Sequence, residues 1–240
     1  MKKNSFIFAL SLLSVAFTSC DDGLIYEKLP EISHEGFNVK LTGKIDGIDQ
    51  WNDPYSVVLA GFGDTRYAIV QKQLPVSEEG KGEIQMTLSD ISSEVKTIEL
   101  CVTNKLRERI ITFRTIEMTD IEDARDTVLM DVGTVDAGIY TAIQQHIFNT
   151  TCAACHGGRE TAAAGLYLTD RRSHDALVNQ LSSRVENGTL VIPGDAGNSV
   201  LHKVINEGNA AHLSFSHENM IASSALLKLI DNWINDGAKN

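Results

Sequence analysis

Cys152-Ala153-Ala154-Cys155-His156 sets two thiols three positions apart, with an imidazole directly after the second. On a helical turn, residues three and four apart share a face, so all three groups can be presented together. Three chemistries use such a set. The thiols can cycle with a disulfide, or they can supply half of a tetrahedral zinc site. Alternatively, their sulfurs can form thioethers to the two vinyl groups of a porphyrin while the imidazole reaches the iron as its proximal ligand.

The surroundings of the motif separate these chemistries. Zinc needs a second ligand pair, and the other two cysteines, Cys20 and Cys101, have no Cys or His at finger-like spacing. A thioredoxin-like dithiol belongs at the end of a strand opening a βαβ unit, whereas Gly138 to Asn149 reads as a helix. The pattern therefore predicts one covalent haem c, held by Cys152 and Cys155 with His156 on the iron. A disulfide, another metal or a degenerate site is the alternative.

A helix must deliver this turn. Ile139, Ile143 and Ile147 recur at four-residue spacing beside Phe148, which predicts an amphipathic helix leading into the motif. At the far end Ser223 precedes Leu226, Leu227, Leu229, Ile230, Trp233 and Ile234, and Gly237 follows, a start and stop expected of a helix. Shorter helices are expected at Ser173–Leu181 and Ser199–Ile205, with a turn at Pro193-Gly194-Asp195.

From Ile143 to Ala238 the chain resembles a class I cytochrome c domain of the single-haem type found in exported or lipid-anchored bacterial proteins. The likeness rests on Ile147-Phe148 before the CAACH turn, Gly157-Gly158 after it, Ala164-Gly165-Leu166-Tyr167-Leu168, Ile192-Pro193-Gly194-Asp195 with Asn198-Ser199-Val200-Leu201, and Asn232-Trp233-Ile234-Asn235-Asp236-Gly237-Ala238. It implies an all-α fold, crossed first and last helices, and reversible one-electron transfer. The family usually supplies the sixth iron ligand from a Met-Pro pair, and here Leu213-Ser214 stands at that place. Leucine cannot bind iron. The same loop offers Met220, His217 and His212 instead: methionine would raise the potential, a second histidine would lower it, and an open site would suit a sensor or peroxidase. Arg159, Arg171 and Arg172 are candidates to pair with the propionates.

Residues 36–135 follow another period. Phe37/Val39/Leu41, Val57/Leu59, Tyr67/Ile69, Ile84/Met86/Leu88, Ile98/Leu100/Val102, Ile111/Phe113 and Val128/Met130 alternate with polar residues, broken by turn-forming stretches. About seven short strands at this spacing predict an antiparallel all-β sandwich of immunoglobulin-like type. Trp51, Tyr55 and Phe62 are expected to close its ends and Cys101 to lie in its core, while His146 is expected to face solvent.

The first residues predict export. Lys2 and Lys3 precede an apolar run from Phe6 to Phe17 that is short for a membrane span. Phe17-Thr18-Ser19-Cys20 resembles a bacterial lipobox, which implies cleavage after residue 19 and lipidation of Cys20. Asp21-Asp22 then open a polar tether, residues 20–35, and the outer membrane or cell surface is the expected location. The formal charge of the whole chain is −11. Such a surface disfavours nucleic acid and suits a basic or neutral redox partner protein.

The expected organisation is a signal peptide (1–19), a tether (20–35), a β-sandwich domain (36–135) and an all-α cytochrome c-like haem domain (138–240). The expected activity is electron transfer without substrate chemistry. A protein of another class, a surface binding or adhesion lipoprotein whose β module acts and whose haem domain is vestigial or structural, would share most of these features.

Overall fold

Alternating apolar residues between Phe37 and Asp136 pair into seven strands in two sheets. The structure is a computed structural model that describes residues 36–76, 82–120, 127–158, 160–207 and 213–240. The expected leader, Cys20, the expected tether, His34, Arg159, His212 and most of the acidic stretch 120–126 lie outside the described residues. Strands β1 (Phe37–Asp46), β4 (Glu83–Ile91) and β7 (Thr127–Asp136) form one sheet in the order β4-β1-β7. Strands β2 (Tyr55–Phe62), β3 (Ala68–Gln73), β5 (Thr97–Asn104) and β6 (Arg109–Glu117) form the other, ordered β3-β2-β5-β6.

Their inward residues share one core: Val39, Leu41, Met86, Leu88, Met130 and Val132 from the first sheet, Val57, Leu59, Ile98, Leu100, Val102 and Ile111 from the second. The β2 strand is buried on both sides. Its other face joins Val58, Ala60 and Phe62 to Ala68 and Cys101 in a smaller cluster. There burial pushes the Cys101 thiol far above its ordinary value, so it is an inert core residue. Trp51, Tyr55 and Phe62 are all buried.

One pairing is parallel. β1 runs alongside β7 in parallel register, Leu41 opposite Met130, while its other neighbour β4 is antiparallel. The sandwich is thus not wholly antiparallel as the hairpin-like spacing predicted; strands from the two ends of the module meet, and period alone carries no information about direction.

The end of β7 hands the chain to the site. The Trp51 indole N–H donates to the Ala137 carbonyl at 2.5 Å, Ile139 N–H donates to the Gln50 side-chain oxygen at 3.1 Å, and Asp136 accepts from Gly138 N–H and the Thr141 hydroxyl. Helix α1 (Ile139–Ile143) therefore starts from a fixed point on the sandwich. All described residues belong to one compact unit, residues 35–240.

The fold-class expectation is corrected. Among the described residues the first two-thirds of the chain is mostly β, and no large all-α domain follows. The remaining helices are short: α2 (Ala153–His156), α3 (Ser173–Leu177), α4 (Val200–Asn206) and α5 (Ser224–Asn235). Only α5 sustains an apolar stripe, with Leu229, Ile230, Trp233 and Ile234 buried and the Ser223 hydroxyl accepting Leu226 N–H at its start. The helix expected over 173–181 stops at Leu177. Asn179 adopts a left-handed φ of 58°, and Val178 and Leu181 turn into isolated bridges with Val191 and Thr189. The backbone groups of 157–199 are largely satisfied by turns and bridges rather than by helix.

Candidate functional site

Helix α1 does not end at Ile143. It widens into a π-helix over Gln144–Cys152 and narrows again to α2, giving continuous helix from Ile139 to His156. A four-residue spacing of isoleucines is compatible with either winding, so the sequence did not distinguish them. The extra residue per turn is a feature often found at functional sites. It turns Ile147 and Phe148 inward and delivers Cys152 to the margin of the apolar core.

The two thiols differ. Cys152 is half-buried, and burial pushes its pKa up to about 11, whereas Cys155 is exposed.

His156 is oriented by the segment that follows it. Its Nδ1 lies 3.2 Å from the Leu166 carbonyl oxygen, and its own backbone carbonyl accepts Leu168 N–H at 2.9 Å. A carbonyl only accepts, so Nδ1 carries the proton and the Nε2 lone pair is free, the arrangement a metal-binding histidine uses. The turn that brings Leu166 back has Ala164 and Gly165 at φ 56° and 70°, the second a position that favours glycine. Gly157 lets the helix stop: a Cβ there would stand 2.4 Å from the Ala153 carbonyl oxygen.

A buried polar chain braces the π-helix against this segment. The Tyr140 hydroxyl lies 2.5 Å from Ser173 Oγ, Ser173 donates to Gln144 Oε1, and Gln144 Nε2 donates to Asn149 Oδ1 and to the Leu168 carbonyl. Since Ser173 spends its one proton on Gln144, Tyr140 donates to Ser173. Burial pushes the Tyr140 hydroxyl up to about 12, keeping it a donor. Tyr140 also packs on Trp233 of α5, with ring centroids 5.1 Å apart.

Of the three residues expected to compete for the sixth position, the structure brings His217 to His156. Their rings lie 6.2 Å apart, centroid to centroid, at 28°. Burial, and next the charge of His156, hold the His217 imidazole below its ordinary pKa, partly offset by the Phe215 backbone. Its Nδ1 is buried with no hydrogen-bond partner. Met220 is 44% exposed. His212 lies outside the described residues.

The other chemically able side chains are engaged elsewhere. Met86 and Met130 are in the sandwich core and Met118 packs against it. His174 Nε2 meets the Ala238 carbonyl at 2.8 Å and His202 Nδ1 meets Asp231 at 2.7 Å. His146, expected in solvent, is half-buried edge-on to Phe113 of β6, and burial lowers its pKa. Among the propionate candidates Arg172 lies 3.6 Å over the Tyr167 ring and Arg171 is exposed. Sequence reasoning missed the Leu166 carbonyl, a backbone group whose only signal was the glycine before it. It also missed Gln144, Ser173 and Tyr140, which carry no motif.

Among the described residues no three His, Cys, Asp or Glu side chains converge as a bare metal ion would need. A porphyrin supplies four nitrogens of its own and asks the protein for one or two more. Two unblocked thiols, an imidazole with a free Nε2 and a second imidazole with an orphaned nitrogen fit that demand. Among the described residues no helix is long and apolar enough to cross a membrane. No family model matches the chain, and no curated protein matches it.

Proposed function

We propose that this chain is an exported, lipid-anchored c-type haem protein that carries single electrons. Cys152 and Cys155 would hold the porphyrin through thioethers: each S–H adds across a vinyl group, sulfur taking one carbon and the proton the other, with no oxidant needed. The iron, when bound, supplies a reversible one-electron couple. His156 would donate to it from Nε2, its ring locked in one tautomer by the Leu166 carbonyl. The buried Tyr140–Ser173–Gln144 chain keeps the π-helix, and hence both thiols, in register with that imidazole. Cys20 would take the lipid and place the protein on the outer membrane or cell surface. The redox partner would be basic or neutral, facing a chain of formal charge −11.

The observation that carries this reading is a histidine directly after a CxxC pair whose Nδ1 is held by a backbone carbonyl. Visible spectra of protein matured in a host with haem-attachment machinery test it. Sharp bands that change reversibly with dithionite and a mild oxidant are expected; a colourless product would overturn it.

A further inference from the structure

We propose that His217 is the second axial ligand of the iron, making a bis-histidine centre; this rests on the haem reading above. Two observations converge on it. The His156 and His217 centroids are 6.2 Å apart, with the two rings 28° from parallel. One metal atom with two nitrogen bonds of about 2.0 Å, and centroids about 1.1 Å beyond each nitrogen, spans about 6 Å. The His217 ring is half-buried, its Nδ1 enclosed with no partner at good hydrogen-bond geometry although the Phe215 backbone is close by.

The ring is also held in place. Phe215 packs edge-on to it at 5.2 Å, Met220 N–H donates to the His217 carbonyl at 3.2 Å, and Ile221 anchors the end of the loop in the core. That same turn leaves Met220 exposed, at the surface rather than over His156.

Two imidazoles stabilise ferric iron more than an imidazole and a thioether do, so the assignment places the potential on the low side. It also closes the sixth position to small molecules.

The test is absorption and EPR spectra of matured wild type, His217→Ala, His217→Met, Met220→Leu and His212→Ala, each with its intact mass. Wild type is expected to be low-spin in both oxidation states and to lack the ferric band at about 695 nm that marks iron-methionine ligation. His217→Ala should retain the haem mass, become high-spin and bind carbon monoxide at once. His217→Met should gain the methionine band and a higher potential, which covers the case in which the alanine variant fails to fold. Met220→Leu and His212→Ala should match wild type. A wild-type methionine band lost in Met220→Leu, a high-spin wild type, or a low-spin spectrum lost in His212→Ala would overturn the assignment while leaving the haem reading intact. Absence of haem mass from wild type would overturn both.

Discussion

The Nδ1 of His156 and the carbonyl oxygen of Leu166 are 3.2 Å apart, and this one contact sets which nitrogen of the imidazole is left with a lone pair. It exists because the chain reverses immediately after the helix. Gly157 and Gly158 leave α2 where a Cβ would collide with backbone oxygens at 2.4 Å, and the left-handed pair Ala164-Gly165 sends Leu166 back under the ring.

Gly157→Ala should therefore be costly despite adding one methyl group. The added carbon meets the Ala153 carbonyl, which belongs to the helix holding both thiols, so the helix end must shift. A loss of about 1–3 kcal/mol in urea unfolding is expected, together with poorer haem retention. An unchanged midpoint would show that the reversal is more pliable than the geometry implies.

Ser173→Ala should cost about 1–3 kcal/mol, because it strands two buried polar groups, Tyr140 OH and Gln144 Oε1. Adding Tyr140→Phe should cost less than the sum of the two single changes, since the phenol has already lost its acceptor. Additive costs in that double-mutant cycle would argue that the three side chains do not act as one network.

His146 gives the fold a pH dependence of known sign. Burial against Phe113 lowers its folded pKa, while the unfolded chain protonates near about 6.5. Below that value the unfolded state binds more protons, so this contribution is fully present above about pH 6.5 and is lost as pH falls through the folded pKa. His146→Phe, which keeps the ring contact, should flatten the stability profile below about pH 6.5. Identical slopes in the two proteins would mean that His146 is solvated after all.

What the sequence disclosed follows from how far each interaction reaches along the chain. The CAACH turn was readable because its groups are three and four residues apart, and the strand positions because period two is local to each strand. Helix α5 declared itself by a serine cap and an apolar stripe. The parallel pairing of β1 with β7 was silent, since the same alternation serves either direction. So was the π-helix, which shares its isoleucine spacing with an ordinary helix, and so was the absence of an all-α domain. The short apolar runs after Leu177 could not show that Asn179 would turn the chain into bridges. Between His217 and Met220 the residues themselves gave no preference; the loop's fold sets the His217 ring beside His156 and leaves Met220 exposed.

The intact mass of the exported protein, measured after denaturation, tests the central claim most directly. The mature chain should carry about 616 Da beyond its lipid modification, retained in denaturant because the thioethers are covalent, with no thiol at Cys152 or Cys155 open to alkylation. A mass without that addition, with both thiols alkylated, would contradict the assignment of this protein as a haem carrier.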